Sequence, residues 1–482
     1  MSAEWERAGY APGRSRALVV LSLSLLNVFA VTAGLAVVKL TPDRHLSPQP
    51  PGVAVRDLVE APASAAVPAA DPASRPLPDA STLAGRLSPI IGGPRAKINA
   101  VVVDTATRRH LFERQADRPA TPASTTKLVT SVAALASVGP AHRITTEVVQ
   151  GAAGRIVLVG GGDPTLTTLP PRPGAGHPPW ASLADLAKQT ATALKAAGVQ
   201  QVQVDYDVSA YAGPLKASGW KPNYIPDGEV APVTALMVDK GHAAPRDTTK
   251  RTRVPDPPVT AVKQFARLLS ENGVTAKPGR KTVAQEGAPR LGAVQSPPMS
   301  ALVEHLMTES DNDVAEAVAR QVAIGKGRPG TFADATQAVE EVLAALGVTE
   351  GISLDDGSGL STRNRITPIA LADIVSLAAG EDHPELRAAI TGLPVAGFSG
   401  TLSYPRFTSP ASQAGLGTVR AKTGTLAGVS TLAGLAHAAD GRLLAFAFMA
   451  GDGEGHVDPG KLDRLAAAVA GCGCGGAPPA GG

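Results

Sequence analysis

The pattern of apolar and polar residues changes along the chain, and its longest apolar run lies near the N-terminus. Residues 17–38 form 22 predominantly apolar positions without a charged side chain. A helix of this length can cross the roughly 30 Å hydrocarbon core of a bilayer. Arginines at positions 7, 14 and 16 precede the run, and this charge bias places residues 1–16 on the cytoplasmic side. We predict a transmembrane signal-anchor at 17–38 and an exported remainder, with a cleaved, secreted form as the alternative.

A proline-rich stretch follows the apolar run. Residues 39–88 are dense in Pro, Ala and Ser. A segment of this composition cannot bury enough apolar surface to offset its ordering entropy. We predict a disordered, semi-extended linker that holds the following domain away from the membrane.

After the linker, the spacing of apolar residues becomes typical of strands and helices. A β-rich apolar run covers residues 98–104, and a returning strand covers 110–113. Helical spacing covers 125–136, and two further helices are predicted within 299–324. Residues 418–450 predict a meander of strands. The body of the protein is therefore expected to contain both helices and strands.

Composition narrows the range of functions. The 482 residues carry a net charge of +3, which argues against a nucleic-acid partner. The nine histidines show no metal-ligand spacing, and no metal site is predicted. Both cysteines, Cys472 and Cys474, lie in a Gly-rich tail at 471–482, so no disulfide links parts of the body. We predict a disordered tail without a role, with metal binding or pairing with another chain as alternatives.

The first candidate motif is Ser124-Thr125-Thr126-Lys127, at the start of a predicted helix. Positions i and i+3 share a helix face, so Lys127 lies beside the Ser124 hydroxyl. A serine hydroxyl needs such a neighbouring base to act as a nucleophile. The pattern also occurs at Ser218-Gly219-Trp220-Lys221. There Gly219 disfavours a helix, and so does Pro222, which follows Lys221. We interpret the second match as a structural loop.

The second candidate motif is Ser310-Asp311-Asn312. Ser310 can relay a proton to a leaving group, and Asn312 can hold a substrate amide. The alternative is a helix N-cap, since all three residue types favour that position and a helical pattern follows.

The third candidate motif is Lys422-Thr423-Gly424-Thr425, at the start of a strand region. A lysine and two hydroxyls on a strand can bind a substrate carboxylate. Gly424 lacks a Cβ and is expected to let a bound peptide approach closely. The amide N–H groups of Thr425 and Ser124 can form an oxyanion hole. The alternative is an ordinary exposed lysine before a turn.

The ordered set of three motifs is typical of penicillin-binding and serine β-lactamase chemistry. The chain resembles the D-Ala-D-Ala carboxypeptidases/endopeptidases of the low-molecular-mass class C penicillin-binding proteins. That family carries a large insertion between the first two motifs, and here 186 residues separate Ser124 from Ser310. Segments at 160–166, 356–361 and 393–402 resemble further stretches of the family.

The resemblance implies an α+β fold of the penicillin-recognising serine transpeptidase/β-lactamase type. An antiparallel sheet flanked by helices lies beside an all-α region. The catalytic domain is expected at 89–162 and 297–470, with an inserted domain at 163–296. Within the insertion, a small basic run predicts a solvated loop or, alternatively, a surface that attracts anionic polymers. The run consists of Arg246, Lys250, Arg251 and Arg253.

The resemblance also implies a reaction and its partners. Ser124, assisted by Lys127, attacks the penultimate D-Ala carbonyl of a peptidoglycan stem peptide, and water hydrolyses the resulting acyl-enzyme. Ser310 and Asn312 assist proton transfer and substrate positioning. β-Lactam antibiotics are expected to acylate Ser124, and no cofactor is implied. The terminal carboxylate is held by Lys422, Thr423 and Thr425 on the strand of Gly424.

Two other functions remain open at this stage. One is a β-lactamase or esterase of the same superfamily, which would turn over a penicillin adduct rapidly. The other is a non-catalytic cell-wall-binding protein on the same fold. Retention of all three motifs argues against the second.

Overall fold

The computed structural model describes residues 77–93, 96–169, 179–451, 455 and 457–473. The predicted cytoplasmic tail, the membrane anchor and most of the linker lie outside these residues. Within the described ranges, no helix combines the length and the apolar character needed to cross a bilayer.

Helices and strands occupy most of the described chain. The helices are α1 (Ala80–Ile91), α2 (Thr126–Ser137), α3 (Leu183–Ala196), α4 (Pro257–Glu271), α5 (Met299–Glu309), α6 (Asn312–Gly325), α7 (Phe332–Ala345), α8 (Pro368–Ala379), α9 (Ala388–Thr391) and α10 (Pro459–Ala470). The strands are β1 (Ile98–Asp104), β2 (His110–Arg114), β3 (Thr145–Gln150), β4 (Arg155–Gly160), β5 (Gln201–Asp207), β6 (Thr275–Lys281), β7 (Arg290–Gln295), β8 (Ile352–Ser353), β9 (Arg365–Ile366), β10 (Val419–Leu426), β11 (Val429–His437) and β12 (Leu443–Ala450).

The main sheet is antiparallel and has the order β10-β11-β12-β1-β2. Successive side chains of a strand point to opposite faces, and here both faces are covered. Val101 and Val103 belong to a core with α2 and α8, whereas Ala100 and Val102 belong to a core with α1 and α10. Coverage of both faces explains why β1 is an almost continuous apolar run. The predicted strands at 98–104 and 110–113 and the meander at 418–450 are confirmed.

An all-α region stands beside this sheet. Helix α2 packs against α5, α6 and α7. Residues 126–135 of α2 are all buried, polar ones included. A helix enclosed on every side in this way shows no polar face. The predicted pair of helices within 299–324 is confirmed as α5 and α6.

The inserted domain contains a second sheet with the order β6-β5-β4-β3-β7. Strand β3 pairs with β7, and β4 pairs in parallel with β5. Strands β3 and β4 therefore belong to the insertion, which begins near Thr145 instead of residue 163. The expected catalytic segment 89–162 was too long because these pairings join strands far apart in the sequence. Helices α3 and α4 cover this sheet with their apolar faces.

Helix α1 corrects the predicted end of the linker. Residues 80–88 were placed in the linker, but they fold as part of α1, whose N-cap Asp79 accepts a hydrogen bond from the Thr82 amide. The buried residues of α1 follow one face of the helix and join the core around α10. They are Leu83, Leu87 and Ile91.

The start of the C-terminal tail also differs from the prediction. Cys472 is fully buried in the same core as α1 and α10. The Arg86 guanidinium donates a hydrogen bond of 2.5 Å to the Gly471 carbonyl, which fixes the end of α10. Residues 471–473 are thus part of the folded body, and the rest of the predicted tail, Cys474 included, lies outside the described residues.

Candidate active site

A cavity of about 560 Å³ lies where the main sheet, the all-α region and the inserted domain meet. Ser124 faces this cavity and is half-buried. It stands in a tight 3-10 turn, Ala123–Thr125, immediately before α2. The Thr125 hydroxyl donates 2.6 Å to the Pro122 carbonyl, and the Thr126 hydroxyl donates 2.9 Å to the Ala123 carbonyl. These bonds hold the turn that presents Ser124.

Lys127 is the buried partner of Ser124. Its Nζ lies 3.2 Å from Ser124 Oγ, and it donates 2.7 Å to Asn312 Oδ1 and 2.6 Å to the Ser358 carbonyl. Burial lowers the pKa of Lys127 to about 8. The nearby carboxylates of Asp356 and Glu316 have the opposite, smaller effect and raise this pKa. A lysine with such a pKa is partly neutral near physiological pH and can act as a base.

The loop at 356–361 supplies a partner that was not predicted from the sequence. Its Ser358 carbonyl accepts the Lys127 hydrogen bond, while the Ser358 amide donates 2.9 Å to Glu316 Oε1. A Cβ on Gly359 would lie 1.9 Å from the Ala123 carbonyl oxygen, so only glycine lets the loop approach the serine turn this closely. The resemblance marked this segment, but a backbone carbonyl has no side-chain signature that could reveal its role.

The second motif caps a helix, as one of its two interpretations predicted, and it also lies at the cavity. Asp311 is the N-cap of α6 and accepts 3.0 Å from the Val314 amide. Ser310 adopts a left-handed conformation (φ 59°) at the end of α5 and lines the cavity with Asn312. The cap thus turns the chain so that the residues on either side of Asp311 both face the cavity.

The third motif lies on β10, the edge strand of the main sheet, and lines the cavity through Thr423 and Thr425. Lys422 is fully buried, and its Nζ donates 2.8 Å to Ser310 Oγ and 2.9 Å to the Thr423 carbonyl. Burial, reinforced by the charge of Lys127, lowers the pKa of Lys422 well below its usual value. The Thr423 hydroxyl donates 2.7 Å to Thr401 Oγ1, a cavity residue not named from the sequence. Thr425 is exposed and lines the cavity.

The absence of a side chain at Gly424 makes room for neighbouring atoms of the protein itself. A Cβ there would lie 2.1 Å from Thr431 Oγ1, 2.8 Å from the Pro122 carbonyl oxygen and 3.0 Å from the Ser124 amide nitrogen. These atoms belong to the protein, so the missing Cβ makes room for the serine turn. The expected close approach of a bound peptide at Gly424 stays a prediction.

The second Ser-x-x-Lys match is confirmed as a structural loop. Ser218 Oγ donates 2.9 Å to Asp355 Oδ1, and the Trp220 indole N–H donates 2.7 Å to Asp356 Oδ2. Lys221 is exposed. The loop thus packs on the 356–361 segment and brings no second nucleophile to the cavity.

The four residues of the basic run in the insertion differ in their exposure and in their ion-pair partners. The Arg253 side chain is 7% exposed and pairs with Asp313, and Arg251 pairs with Glu229. Both arginines line the cavity, whereas Arg246 is exposed. Lys250 is exposed beside Asp247. Only part of the run is therefore a solvated loop. Across the described ranges, no group of three His, Cys, Asp or Glu side chains is placed to hold a metal ion.

Comparisons with known proteins agree on one family. A family model described as the D-Ala-D-Ala carboxypeptidase 3 (S13) family matches residues 83–252 and 242–470. The chain is 37% identical over 408 residues to the carboxypeptidase DacB of Mycolicibacterium smegmatis, which covers 83% of this chain and 86% of that protein. It is 30% identical over 431 residues to the D-alanyl-D-alanine carboxypeptidase of an Actinomadura species, covering 75% and 78%.

A solved structure supports the fold. The crystal structure of penicillin binding protein 4 from Haemophilus influenzae superposes with a TM-score of 0.64 and 20% sequence identity. The match covers 81% of this chain and 98% of that one. The predicted penicillin-recognising α+β fold is confirmed.

Proposed function

The chain belongs to the D-Ala-D-Ala carboxypeptidase 3 (S13) family of peptidases, and we propose that it hydrolyses peptidoglycan stem peptides through an acyl-enzyme on Ser124. One observation carries the proposal: Lys127 Nζ lies 3.2 Å from Ser124 Oγ and its pKa is lowered to about 8. A nucleophile within reach of a base that is partly neutral at working pH is the arrangement that acyl transfer needs.

The first step forms the acyl-enzyme. Ser124 Oγ attacks the carbonyl carbon of the penultimate D-Ala while its proton passes to neutral Lys127. The amide N–H groups of Ser124 and Thr425 are proposed to stabilise the oxyanion. As the intermediate collapses, the C–N bond breaks, and the proton that Lys127 took from Ser124 is proposed to pass through the Ser310 hydroxyl to the leaving amine, so that Lys127 is neutral again. Water then attacks the ester carbonyl while its proton passes to Lys127. The bond between the acyl carbon and Ser124 Oγ breaks, and Lys127 returns the proton to Ser124.

The terminal carboxylate is proposed to bind at the third motif. Lys422 supplies a cation there, and Thr423 and Thr425 supply hydroxyls that face the cavity. A carboxylate beside Lys422 favours its protonated form, which burial otherwise disfavours. The same contacts fit the carboxylate of a β-lactam, and we propose that penicillins acylate Ser124.

Labelling with a fluorescent penicillin tests this proposal. Wild-type protein is expected to carry a covalent label, and Ser124→Ala is expected to carry none. Ser218→Ala is a matched control, because Ser218 opens the second Ser-x-x-Lys match but hydrogen-bonds Asp355 instead. It is expected to be labelled like the wild type. Label that survives Ser124→Ala would overturn the assignment.

We propose further that the peptidase works outside the cytoplasm, at the cell membrane. The support is the apolar run at 17–38 and the three arginines before it. Peptidoglycan, the proposed substrate, would then be within reach of a domain held on the linker. A cleaved, secreted form would reach the same substrate.

A further inference from the structure

We propose that Lys240, a residue of the inserted domain, is a positioning residue that fixes the second motif for catalysis. The inference rests on the proposed function of Ser124 and Lys127 and adds a part to it. Lys240 lies 71 residues before its partner Asp311 in the sequence. The insertion is thereby a working part of the active site, since it sets the orientation of Asn312.

Three consecutive residues of the second motif and helix α6 are each held by the insertion. Lys240 Nζ forms an ion pair with the Asp311 carboxylate. The Asn312 side-chain N–H donates 2.8 Å to the Glu229 carbonyl. The third residue, Asp313, pairs with Arg253 at 2.9 Å. Residues 229–253 of the insertion thus form ion pairs with both sequence neighbours of Asn312 and accept a hydrogen bond from its side chain.

These contacts with the insertion determine which end of the Asn312 amide faces Lys127. Because the Nδ2 group is engaged by the Glu229 carbonyl, the Oδ1 atom points to Lys127 Nζ at 2.7 Å. A rotated amide would turn two N–H donors toward the lysine ammonium and an oxygen toward a carbonyl. Both contacts would be repulsive, so the insertion selects the orientation in which Asn312 holds Lys127.

The groups around the Lys240 side chain hold it in position beside Asp311. Its side chain is 15% exposed, and the Asp311 side chain is 10% exposed. Its Nζ lies 4.8 Å from the ring centre of Trp180 and 3.1 Å from His305 Nε2. Its own backbone is left-handed (φ 53°), a costly conformation for a lysine that persists where contacts hold it.

The test uses full-length variants with a fluorescent penicillin and with a pentapeptide that ends in D-Ala-D-Ala. Lys240→Met removes the charge at similar size, and Lys240→Arg restores it. Asp311→Asn removes the partner's charge but retains a good N-cap residue. Lys250→Ala is a matched control, since Lys250 is an exposed lysine of the same segment paired with Asp247 at 3.5 Å.

A misplaced catalytic group typically costs about 100-fold in rate. We therefore expect Lys240→Met and Asp311→Asn each to lower the penicillin acylation rate and the peptide kcat by about 10- to 100-fold. The peptide KM is expected to change little. The double variant should be no slower than the slower single variant, because both remove one ion pair. Lys240→Arg should recover most of the activity, and Lys250→Ala should match the wild type.

Two results would overturn the inference. One is a wild-type acylation rate in both Lys240→Met and Asp311→Asn. The other is a raised peptide KM with unchanged penicillin acylation, which would make Lys240 a substrate contact instead. Failure of the proposed function looks different, because wild type and Ser124→Ala would then be labelled to the same extent, or both would carry no label.

Discussion

The surroundings of the buried Lys127 amine determine the pH at which it can act as the proposed base for Ser124. The serine hydroxyl, the Asn312 amide oxygen and the Ser358 carbonyl all lie within 3.2 Å of its Nζ. Burial lowers its pKa to about 8, and the carboxylates of Asp356 and Glu316 limit that fall. Acylation is therefore expected to become faster as pH rises through about 8, where Lys127 loses its proton.

Replacing Glu316 by glutamine should move this pH profile. Burial raises the pKa of Glu316 to about 7, so the group is partly anionic where Lys127 titrates. Its negative charge raises the pKa of Lys127, and its removal should lower that pKa. We expect the midpoint of the penicillin acylation rate to shift from about 8 to a lower pH. Glu341→Gln, which removes a surface charge paired with Arg328, should leave the midpoint in place; an unshifted profile in Glu316→Gln would contradict the account.

Sequence patterns located the residues whose chemistry is carried by side chains. Ser124, Lys127, Asn312 and Lys422 were predicted because hydroxyls, amines and amides recur at fixed spacing. The fold brings Lys127 to Ser124 and Asn312, and it brings Lys422 to Ser310. The Ser358 carbonyl was missed because every residue has one. Lys240 was missed because a single lysine in the insertion carries no local signal for its partner in another domain.

At the scale of elements, the contact between β10 and the serine turn depends on Gly424. A Cβ at that position would overlap Thr431 Oγ1 and crowd the Ser124 amide. Gly424→Ala should therefore push the strand away from the nucleophile. Overpacking of this kind typically costs about 1–3 kcal/mol. We expect a lower melting temperature together with slower acylation by penicillin.

Gly85→Ala is the matched comparison for this glycine. Gly85 lies within α1, is exposed, and has no atom within 4 Å of an added Cβ. Alanine in a helix interior is favoured over glycine by about 1 kcal/mol. This variant should melt at a slightly higher temperature and acylate normally. Equal acylation rates in Gly424→Ala and Gly85→Ala would show that the strand tolerates the Cβ.

Elements with local signals were predicted well, whereas their assignment to domains was not. The apolar runs identified β1 and β2, and helical spacing identified α2, α5 and α6. The boundary of the insertion was missed because β3 and β7 pair across about 140 intervening residues. Helix α1 was missed because proline and alanine dominate its surroundings, while its few leucines gain stability only by packing on α10.

At the scale of the whole molecule, the cavity is built by all three parts of the body. The all-α region supplies Ser124 and Asn312, the main sheet supplies Thr423 and Thr425, and the insertion supplies Glu229 and Lys240. Removal of the insertion would therefore open one wall of the cavity. The overall fold was predictable because family resemblance spans the body, but this shared wall depends on contacts between distant segments.

The central claim is that Ser124 carries D-Ala-D-Ala carboxypeptidase activity, and release of D-Ala from a defined muropeptide pentapeptide tests it most directly. Full-length wild type and Ser124→Ala are incubated with the muropeptide, and the products are followed by mass. We predict that wild type converts the pentapeptide to a tetrapeptide and one D-Ala, and that Ser124→Ala leaves it intact. Equal release by both proteins, or no release by wild type, would contradict the account.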